Sequence, residues 1–342
     1  MTTVTDPAPP QEKRSLTKRL AGANSLWIGL VLVALIAVFG VINPSQILNL
    51  VNLQNLLIET SVLLVLSVGM TFVIVTSGID LSVGSVLVFS GITSALSMNA
   101  MSGGDSTHAG WGVVIVGGLV AVASGAAWGF VNGWLIAKAK IPPLIVTLGS
   151  FGAALGAAEL LTNGSDVRSV PDTLANSLGF GTLLGGIPTM VIFAAAVTAV
   201  GAWLLATTRF GRHTYAIGSN EVAAQRTGIS VTRHLVLVYV LAGGLAGLAG
   251  FMSLAHFTTT TLTSHSTDNL NAIAGTVLGG TSVFGGVGSV IGTVIGVFIP
   301  AVLTKGFTII GVNVFWQPIA VAIVLVSAVW FDQNRRRARN QR

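Results

Sequence analysis

Long stretches without a charged residue divide this chain into segments that could each cross a membrane. Asp, Glu, Lys and Arg are absent from 20–58, 60–79, 81–104, 106–137, 141–158, 173–208, 235–267, 269–304 and 306–331. A spanning helix needs about 20 mostly apolar residues. The pattern therefore predicts ten spans, at 25–43, 56–77, 82–100, 111–136, 143–162, 188–206, 235–255, 270–284, 287–309 and 313–331.

Composition supports this all-α integral membrane architecture. The 342 residues are 52% hydrophobic and 8% charged, with a mean hydropathy of +0.83. Soluble domains carry about 25% charged residues, so most of this surface must face lipid. The chain has no Cys, which excludes disulfides, thiol catalysis and Cys-ligated metal. It also lacks a GxxxxGK[ST] phosphate-binding loop, so it carries no such ATP site of its own.

The basic residues set the orientation and argue against a nucleic-acid partner despite the net charge of +6. Fifteen of the 17 lie on one side if both termini are cytoplasmic, which agrees with the positive-inside rule. Arg168 then lies outside and Lys305 lies near an outer helix end. We expect a disordered cytoplasmic tail at 1–19, a transmembrane domain at 20–331, and a basic cytoplasmic tail at 332–342 near anionic lipid.

Two Gly-rich stretches interrupt the apolar pattern. "TSGIDLSVGSVLVFSG" covers 76–91 and "LGGTSVFGGVGSVIGTVIG" covers 278–296, and the shared "VGSV" suggests a weak internal repeat. We expect broken or re-entrant segments here, with 82–100 and 270–284 the spans most affected. Asp80 or Ser82 has the chemistry to cap a helix that starts at the first break. Two interpretations of the first break stay open. It is either an ordinary tight turn or a part of the translocation path or its gate.

Small residues spaced by four positions predict close helix packing in several spans. Examples are Gly125, Gly129 and Gly133; Gly152 and Gly156; Gly243 and Gly247; and Gly288, Gly292 and Gly296.

The segment 207–234 carries charged residues and signals for the start and end of a helix, unlike the spans on either side. Within "GSNEVAAQRTGIS", Ser219 or Asn220 suits an N-cap, Glu221 favours the first turn, and Gly228 suits the stop. These signals predict a helix at about 220–227, too short to be stable alone in water. Such a helix needs a surface to dock on. The alternative is a plain loop whose arginines only set topology.

"NEVAAQRTGI" resembles the segment with which permeases of ATP-binding-cassette importers contact their ATPase. "FGRHTYAIGSN", "SGIDLSVGSVL", "NGWLIAKAKIPPLIVTLGS" and "GGTSVFGGVGSVIGT" resemble further blocks of the sugar-importing branch, in the same order, so that the likeness covers about 50–331. The resemblance implies a homodimeric permease in a prokaryotic inner membrane, with ATP and Mg²⁺ on a separate cytoplasmic ATPase subunit and an extracytoplasmic sugar-binding protein. The residues it implies for ATPase coupling are Gly211, Arg212, Tyr215, Asn220, Glu221, Ala224, Arg226 and Gly228.

Polar residues in or beside the broken spans are candidates for the substrate path or gate, because sugars need many hydroxyl partners. They are Thr76, Asp80, Ser82, Asn269, Asn271 and Thr281. The chain departs from the branch at "NLNAIAG", where Asn269 and Asn271 stand in place of an acidic pair, and only loosely resembles it over 163–187. The outer loops "MSGGDSTHAG" and 163–187 are expected to meet the binding protein.

Other function classes stay open. An ion-coupled secondary transporter would explain broken helices and a repeat, but it would usually place acids or His deep in the bundle. A channel or structural subunit would need no ATPase. The same importer machine could also carry a nucleoside, an autoinducer-like molecule or another non-sugar cargo. His108, His256 and His265 fall in or near outer loops, and no zinc site, catalytic triad or carboxylate pair is predicted from the sequence.

Overall fold

The computed structural model describes residues 24–340, apart from 48, 184, 264, 266 and 314, and within them the chain is mainly helical. The predicted tail 1–19 therefore lies outside the described residues. The helices are α1 (Asn24–Ile42), α2 (Pro44–Ile47), α3 (Leu50–Val75), α4 (Val83–Met101), α5 (Trp111–Ala137), α6 (Pro143–Thr162), α7 (Asp172–Leu174), α8 (Thr189–Thr207), α9 (Arg209–Ser219), α10 (Glu221–Arg226), α11 (Val231–Phe257), α12 (Asp268–Leu278), α13 (Val290–Ile309) and α14 (Trp316–Asn340).

Two small irregular elements lie between α7 and α8. A π-helical turn spans Ala175–Gly179, and a short antiparallel hairpin pairs Thr182–Leu183 with Ile187–Pro188. Both lie in the connection between two predicted spans, and the hairpin ends at Pro188, the first residue of the predicted span 188–206. Long helices joined by loops make up the rest of the described residues, as the hydrophobic pattern predicts.

Seven helices are long and apolar enough to cross a membrane among the residues that the structure describes. They are α3, α4, α5, α6, α8, α11 and α13, and shorter apolar stretches occur at Ile28–Ile42 in α1 and at Trp316–Ser327 in α14. This confirms an all-α architecture of the membrane type.

The predicted span 270–284 is not a full membrane-spanning helix in the structure. Its helix, α12, begins at Asp268 and ends at Leu278, so its 11 residues extend only about 16 Å, roughly half of a hydrocarbon core of about 30 Å. Gly280, with a φ of +90°, follows the helix end, and residues 279–289 form no helix before α13 begins. We call residues 279–289 the second break and residues 76–82, between α3 and α4, the first break.

Helix α3 forms the centre of the bundle. Every residue from Thr60 to Val75 is buried. Around it, α11 packs along α5 through the predicted glycines. A Cβ at Gly243 would lie 2.2 Å from the carbonyl oxygen of Gly125, so only hydrogen fits between these backbones. Glycine spacing therefore sets the contact between two of the longest helices.

The same spacing has different outcomes elsewhere in the chain. Gly292 and Gly296 of α13 lie against the backbone of Gly279 and Gly275, as the prediction requires. A Cβ at Gly152 or Gly156 of α6 would contact nothing within 4 Å, so this pair mediates no packing among the described residues.

The shared "VGSV" sequences do not occupy equivalent structural positions. Val83 is the first helical residue of α4, whereas Val290, the last residue of the second copy, is the first of α13. The reason is the capping serine: Ser289 accepts a hydrogen bond from the amide of Gly292, while Ser85 lies inside its helix and donates to the carbonyl of Ser82. The short sequence match is therefore not a repeat in structural register.

Candidate functional site

The charged segment between α8 and α11 forms two consecutive helices. Thr208 starts α9 by accepting a hydrogen bond from the amide of Gly211. Asn220 then adopts an extended conformation, and its Oδ1 accepts a 2.9 Å hydrogen bond from the amide of Ala223. Helix α10 ends before Gly228, whose φ is +87°. The predicted short helix is confirmed with Asn220 as its N-cap, whereas the sequence analysis did not predict α9.

Helix α10 is attached to the bundle along one side only. Ala224 is buried and packs with Ile217 and Val231. The other residues of α10 are exposed, including Val222, whose side chain is 58% exposed. A short capped helix with an exposed apolar residue is suited to insertion into a groove of another protein.

The end of α9 contacts both breaks. Tyr215 donates a 2.8 Å hydrogen bond to the carbonyl of Gly288 in the second break, and burial raises the pKa of this hydroxyl. Gly218 lies so close to Val75 that an added Cβ would be 1.7 Å from the Val75 carbonyl oxygen. The carbonyl of Gly218 also accepts a 3.3 Å hydrogen bond from the hydroxyl of Ser77 in the first break. The segment that leads into α10 is therefore in direct contact with the end of α3 and with both breaks.

The second break also binds the end of α3 and the first break. The amide of Gly286 donates a 2.9 Å hydrogen bond to the carbonyl of Val75. Ser77 has a φ of +64°, which is unusual for a residue other than glycine, and its hydroxyl donates to the carbonyl of Phe284 at 2.9 Å. We call this meeting of α9 with the two breaks the junction.

A buried chain of polar side chains holds the far side of the first break. Asp80 Oδ1 accepts hydrogen bonds from the amide and hydroxyl of Ser82, at 2.8 Å and 2.6 Å. The Ser82 hydroxyl accepts a 2.9 Å bond from Asn132 of α5, and the Asn132 side-chain oxygen accepts one from Ser150 of α6. All four side chains are buried. Asp80 thus satisfies the amide before α4, while Ser82 itself makes no capping bond.

Helix α12 is tied to the same break at its first turn. Asn269 donates a 3.0 Å hydrogen bond to the carbonyl of Leu81. Just before it, His265 lies 2.7 Å from both Ser253 of α11 and Asp268 of α12. This serine–histidine–aspartate row was not predicted from the sequence. Ser253 and His265 are buried, and the cavity beside Ser253 measures about 10 Å³, room for about one water. The row therefore fastens α11 to α12.

The loops at the opposite end of the bundle form one connected surface. Asp105 accepts hydrogen bonds from Ser169 and Thr107, and these bonds lower its pKa to about 2. Val167 and Thr260 exchange two further bonds, of 3.0 Å and 2.8 Å. The two loops predicted to meet a binding protein, 101–110 and 163–187, are therefore joined to each other and to the connection between α11 and α12.

The described residues contain no group of three His, Cys, Asp or Glu side chains that could hold a metal ion.

Comparison with known proteins identifies the family to which the chain belongs. Residues 52–329 match the model of a family described as branched-chain amino acid transport system / permease component. The chain is 38% identical over 312 residues to the ribose import permease protein RbsC of Escherichia coli K12, covering 89% of this chain and 92% of that protein. The chain belongs to the sugar ABC importer permeases.

Two further relatives extend the likeness to permeases named for other sugars. The D-allose transport system permease protein AlsC of Escherichia coli K12 is 31% identical over 303 residues, covering 89% of this chain and 90% of that protein. The xylose transport system permease protein XylH of Haemophilus influenzae is 31% identical over 373 residues, covering 91% and 97%. No solved structure matches the permease significantly. It is a multi-pass protein of the prokaryotic inner membrane.

The remaining coupling candidates of the permease lie along α9 and α10. Gly211 allows the sharp α8–α9 turn, because a Cβ there would lie 1.9 Å from the carbonyl oxygen of Leu205. Arg212 donates to the carbonyl of Thr207 at the end of α8. Arg226 is exposed in the last turn of α10. Gly211 and Arg212 thus shape the turn between two helices, and Arg226 is exposed at the surface.

The path candidates are divided between the two breaks. Thr76, Asp80 and Ser82 are buried in the first break, and Asn269 joins them through its bond to Leu81. Thr281 is buried in the second break, and its hydroxyl has no partner among the described residues. Asn271 is partly exposed on α12, and no side-chain hydrogen bond connects it to the first break within the described residues.

Sequence reasoning missed the partners that hold the first break in place. Asn132 and Ser150 lie in charge-free spans whose glycine spacing predicts helix packing, and Ser77 lies in the first Gly-rich stretch. A polar amide inside an apolar span is a signal that could have identified Asn132, because such side chains in membrane helices usually have a specific partner.

Proposed function

We propose that the permease forms the translocation path of an ATP-driven importer for a monosaccharide or related polyol, and that α10 docks a separate ATPase subunit. The observation that carries the proposal is the junction. The exposed helix α10 is joined through one residue, Asn220, to α9, and α9 contacts both breaks in the bundle. A force applied to α10 would therefore reach both breaks directly.

In this mechanism, ATP binding draws two ATPase halves together and moves the docked α10 helices. Gly218 and Tyr215 transmit the displacement to the carbonyls of Val75 and Gly288. The first break is held on its other side by Asn132, so it moves relative to α5 or carries α5 with it. Either response alters the packing around α4 and α12, which exposes the path to alternate sides of the membrane.

The sidedness of the proposal follows from charge. Lys138, Lys140, Arg209, Arg212, Arg226 and Arg233 all lie near the α10 end of the bundle, so we place this end, and both termini, in the cytoplasm. The connected loop surface at the opposite end would then receive an extracytoplasmic sugar-binding protein. Together with α1, α12 and α14, the seven long helices supply ten membrane segments, of which α12 crosses only about half the bilayer.

The cargo and the assembly rest on the relatives. Ribose, D-allose and xylose are the sugars in their names, so a monosaccharide is the preferred cargo class. A second copy of the chain completes the path, ATP and Mg²⁺ bind to the partner ATPase, and lipid surrounds the assembly. The side-chain hydroxyls and amides near the breaks supply the hydrogen bonds that a sugar requires.

Co-purification with the candidate ATPase tests the docking step. Glu221 lies in the first turn of α10, and Glu221→Lys reverses its charge where a negative charge favours the helix dipole. We expect Glu221→Lys to lose the ATPase and ATP-dependent uptake while membrane insertion is unchanged, and we expect the same of Gly228→Trp. Glu159→Lys makes the same charge change at the far end of α6 and should retain the ATPase. Equal recovery of the ATPase with the unmodified permease, Glu221→Lys, Gly228→Trp and Glu159→Lys would reject α10 as the docking element.

A further inference from the structure

The second break contains a tight turn at residues 282–287. The amide of Ser282 donates a 2.9 Å hydrogen bond to the carbonyl of Val287, and the amide of Gly285 donates one of 2.9 Å to the carbonyl of Ser282. Gly285 and Gly286 have φ values of +79° and +74°, in the left-handed region that favours glycine. We call residues 282–287 the second-break turn. These bonds and glycines fix its backbone in one conformation.

The second-break turn directs one apolar side chain inward and two outward. Val283 packs against the hydrophobic core of the bundle. Phe284 and Val287 are 43% and 53% exposed. An aromatic ring is therefore held at the surface by a backbone whose neighbouring side chain is anchored in the core.

The second-break turn lies directly against the connection between α9 and α10. The hydroxyl of Ser77 donates to the carbonyl of Phe284 at 2.9 Å and to that of Gly218 at 3.3 Å, so one side chain joins the turn to α9. A Cβ added at Gly286 would lie 2.5 Å from the hydroxyl oxygen of Ser219. Ser219 is the last residue of α9, and one residue separates it from α10. The exposed ring therefore lies beside the helix proposed to dock.

The surroundings of Phe284 have the composition of a protein interface. Such interfaces combine an apolar centre that is rich in aromatic residues with a polar rim. Phe284 and Val222 supply exposed apolar side chains. The connection that leads to Val222 carries exposed polar residues, namely Ser219, Asn220 and Glu221. Lipid is a poorer match, because aromatic side chains at the level of lipid headgroups are typically Trp and Tyr, which combine a ring with a polar atom.

We propose that the second-break turn is a second contact for the ATPase subunit, with the Phe284 ring in an apolar groove continuous with the one that receives α10. The inference rests on the proposed function, because it extends to the turn a docking surface that is there assigned to α10. The backbone of the turn is already fixed, so little order is lost on binding. The ATPase then holds the second break directly as well as through α9 and Tyr215.

Alanine substitution measures the contribution of the ring to binding. We would determine the affinity of the reconstituted permease for the candidate ATPase, and we expect Phe284→Ala to weaken it about tenfold, as loss of an interface anchor does. Phe284→Leu keeps an apolar side chain and should lose less. Phe257→Ala is the matched control, because Phe257 is 44% exposed at the opposite end of the bundle, and it should bind normally. Unchanged affinity with Phe284→Ala would overturn the proposal.

Cross-linking identifies what covers the turn. The protein has no native Cys, so Phe284→Cys introduces a single thiol, to which a benzophenone maleimide can be attached. In membranes that hold the assembled complex, we expect illumination to join this residue to the ATPase, whereas the same probe at Phe257→Cys should not reach it. Adducts at Phe284→Cys with lipid alone, or with a second copy of the permease alone, would contradict the proposal.

A substitution in α10 distinguishes a failure of this inference from a failure of the proposed function. Val222→Asp places a charge on the exposed apolar residue of α10 and should also lose the ATPase. Loss with Val222→Asp but normal affinity with Phe284→Ala rejects the second contact and leaves α10 as the docking element. Loss with Phe284→Ala alone supports the turn and rejects α10, and normal affinity with both variants rejects both.

Discussion

Replacement of Gly218 by alanine tests whether the junction transmits motion. An alanine Cβ at this position would lie 1.7 Å from the carbonyl oxygen of Val75 and 2.7 Å from the amide nitrogen of Gly286. Cβ atoms almost never approach other atoms closer than 3.0 Å, so the end of α9 must move away from α3 by more than an ångström. The obstructing atoms are backbone and cannot rotate aside.

The energetic cost follows from two opposing terms. Overpacking of this kind costs about 1–3 kcal/mol, while alanine gains up to about 1 kcal/mol over glycine in helix propensity. Global stability should therefore fall by about 3 kcal/mol or less. We expect uptake to fall about tenfold or more, because each 1.36 kcal/mol on a barrier changes a rate about tenfold and the lost contact lies on the route of motion.

Reconstituted vesicles would report this effect as uptake per ATP hydrolysed. The exposed surface of α10 is unchanged in Gly218→Ala, so the ATPase should still bind, and ATP hydrolysis should persist with little uptake. Gly112→Ala is the matched control, because a Cβ there contacts nothing within 4 Å. Uptake at the unmodified rate with Gly218→Ala would refute the transmission of motion through this contact.

Three further predictions concern side chains around the junction. Asn220→Ala removes the N-cap of α10, which should cost about 1 kcal/mol and appear as faster hydrogen exchange in α10 and weaker ATPase binding. In a double-mutant cycle, Asn132→Ala and Ser150→Ala should show a coupling energy of about 0.6 kcal/mol in unfolding from detergent, and additivity would contradict their hydrogen bond. Tyr215→Phe removes the bond to Gly288, so it should lower uptake and leave ATPase binding unchanged; lost binding would instead place Tyr215 in the docking surface.

The hydrophobic pattern predicts most of the helices because membrane crossing imposes a strong local constraint. The predicted spans 111–136, 143–162 and 188–206 differ from α5, α6 and α8 by no more than one residue at each end. The capping signals of α10 are also local, since Asn220 and Gly228 act on their own backbone. Structural features that depend only on neighbouring residues can therefore be predicted from a single sequence.

The junction and the polar chain could not be predicted in the same way, because their partners lie far apart in sequence. Ser77 and Phe284 are separated by 207 positions, and Ser82 and Asn132 by 50. The glycines show the same limit. Gly125 and Gly152 begin the same four-residue spacing, yet the first meets the backbone of α11 and the second meets nothing within 4 Å. Spacing identifies a helix face and does not identify what covers it.

The central claim is that ATP bound to a partner drives transport through this chain, and one measurement tests it most directly. The permease would be reconstituted with its candidate ATPase and sugar-binding protein, and uptake of pentoses, hexoses and polyols measured with and without ATP. We predict ATP-dependent uptake of one sugar that persists with an uncoupler and is lost with Glu221→Lys. Uptake that needs an ion gradient and proceeds without ATP would contradict the account and identify an ion-coupled transporter.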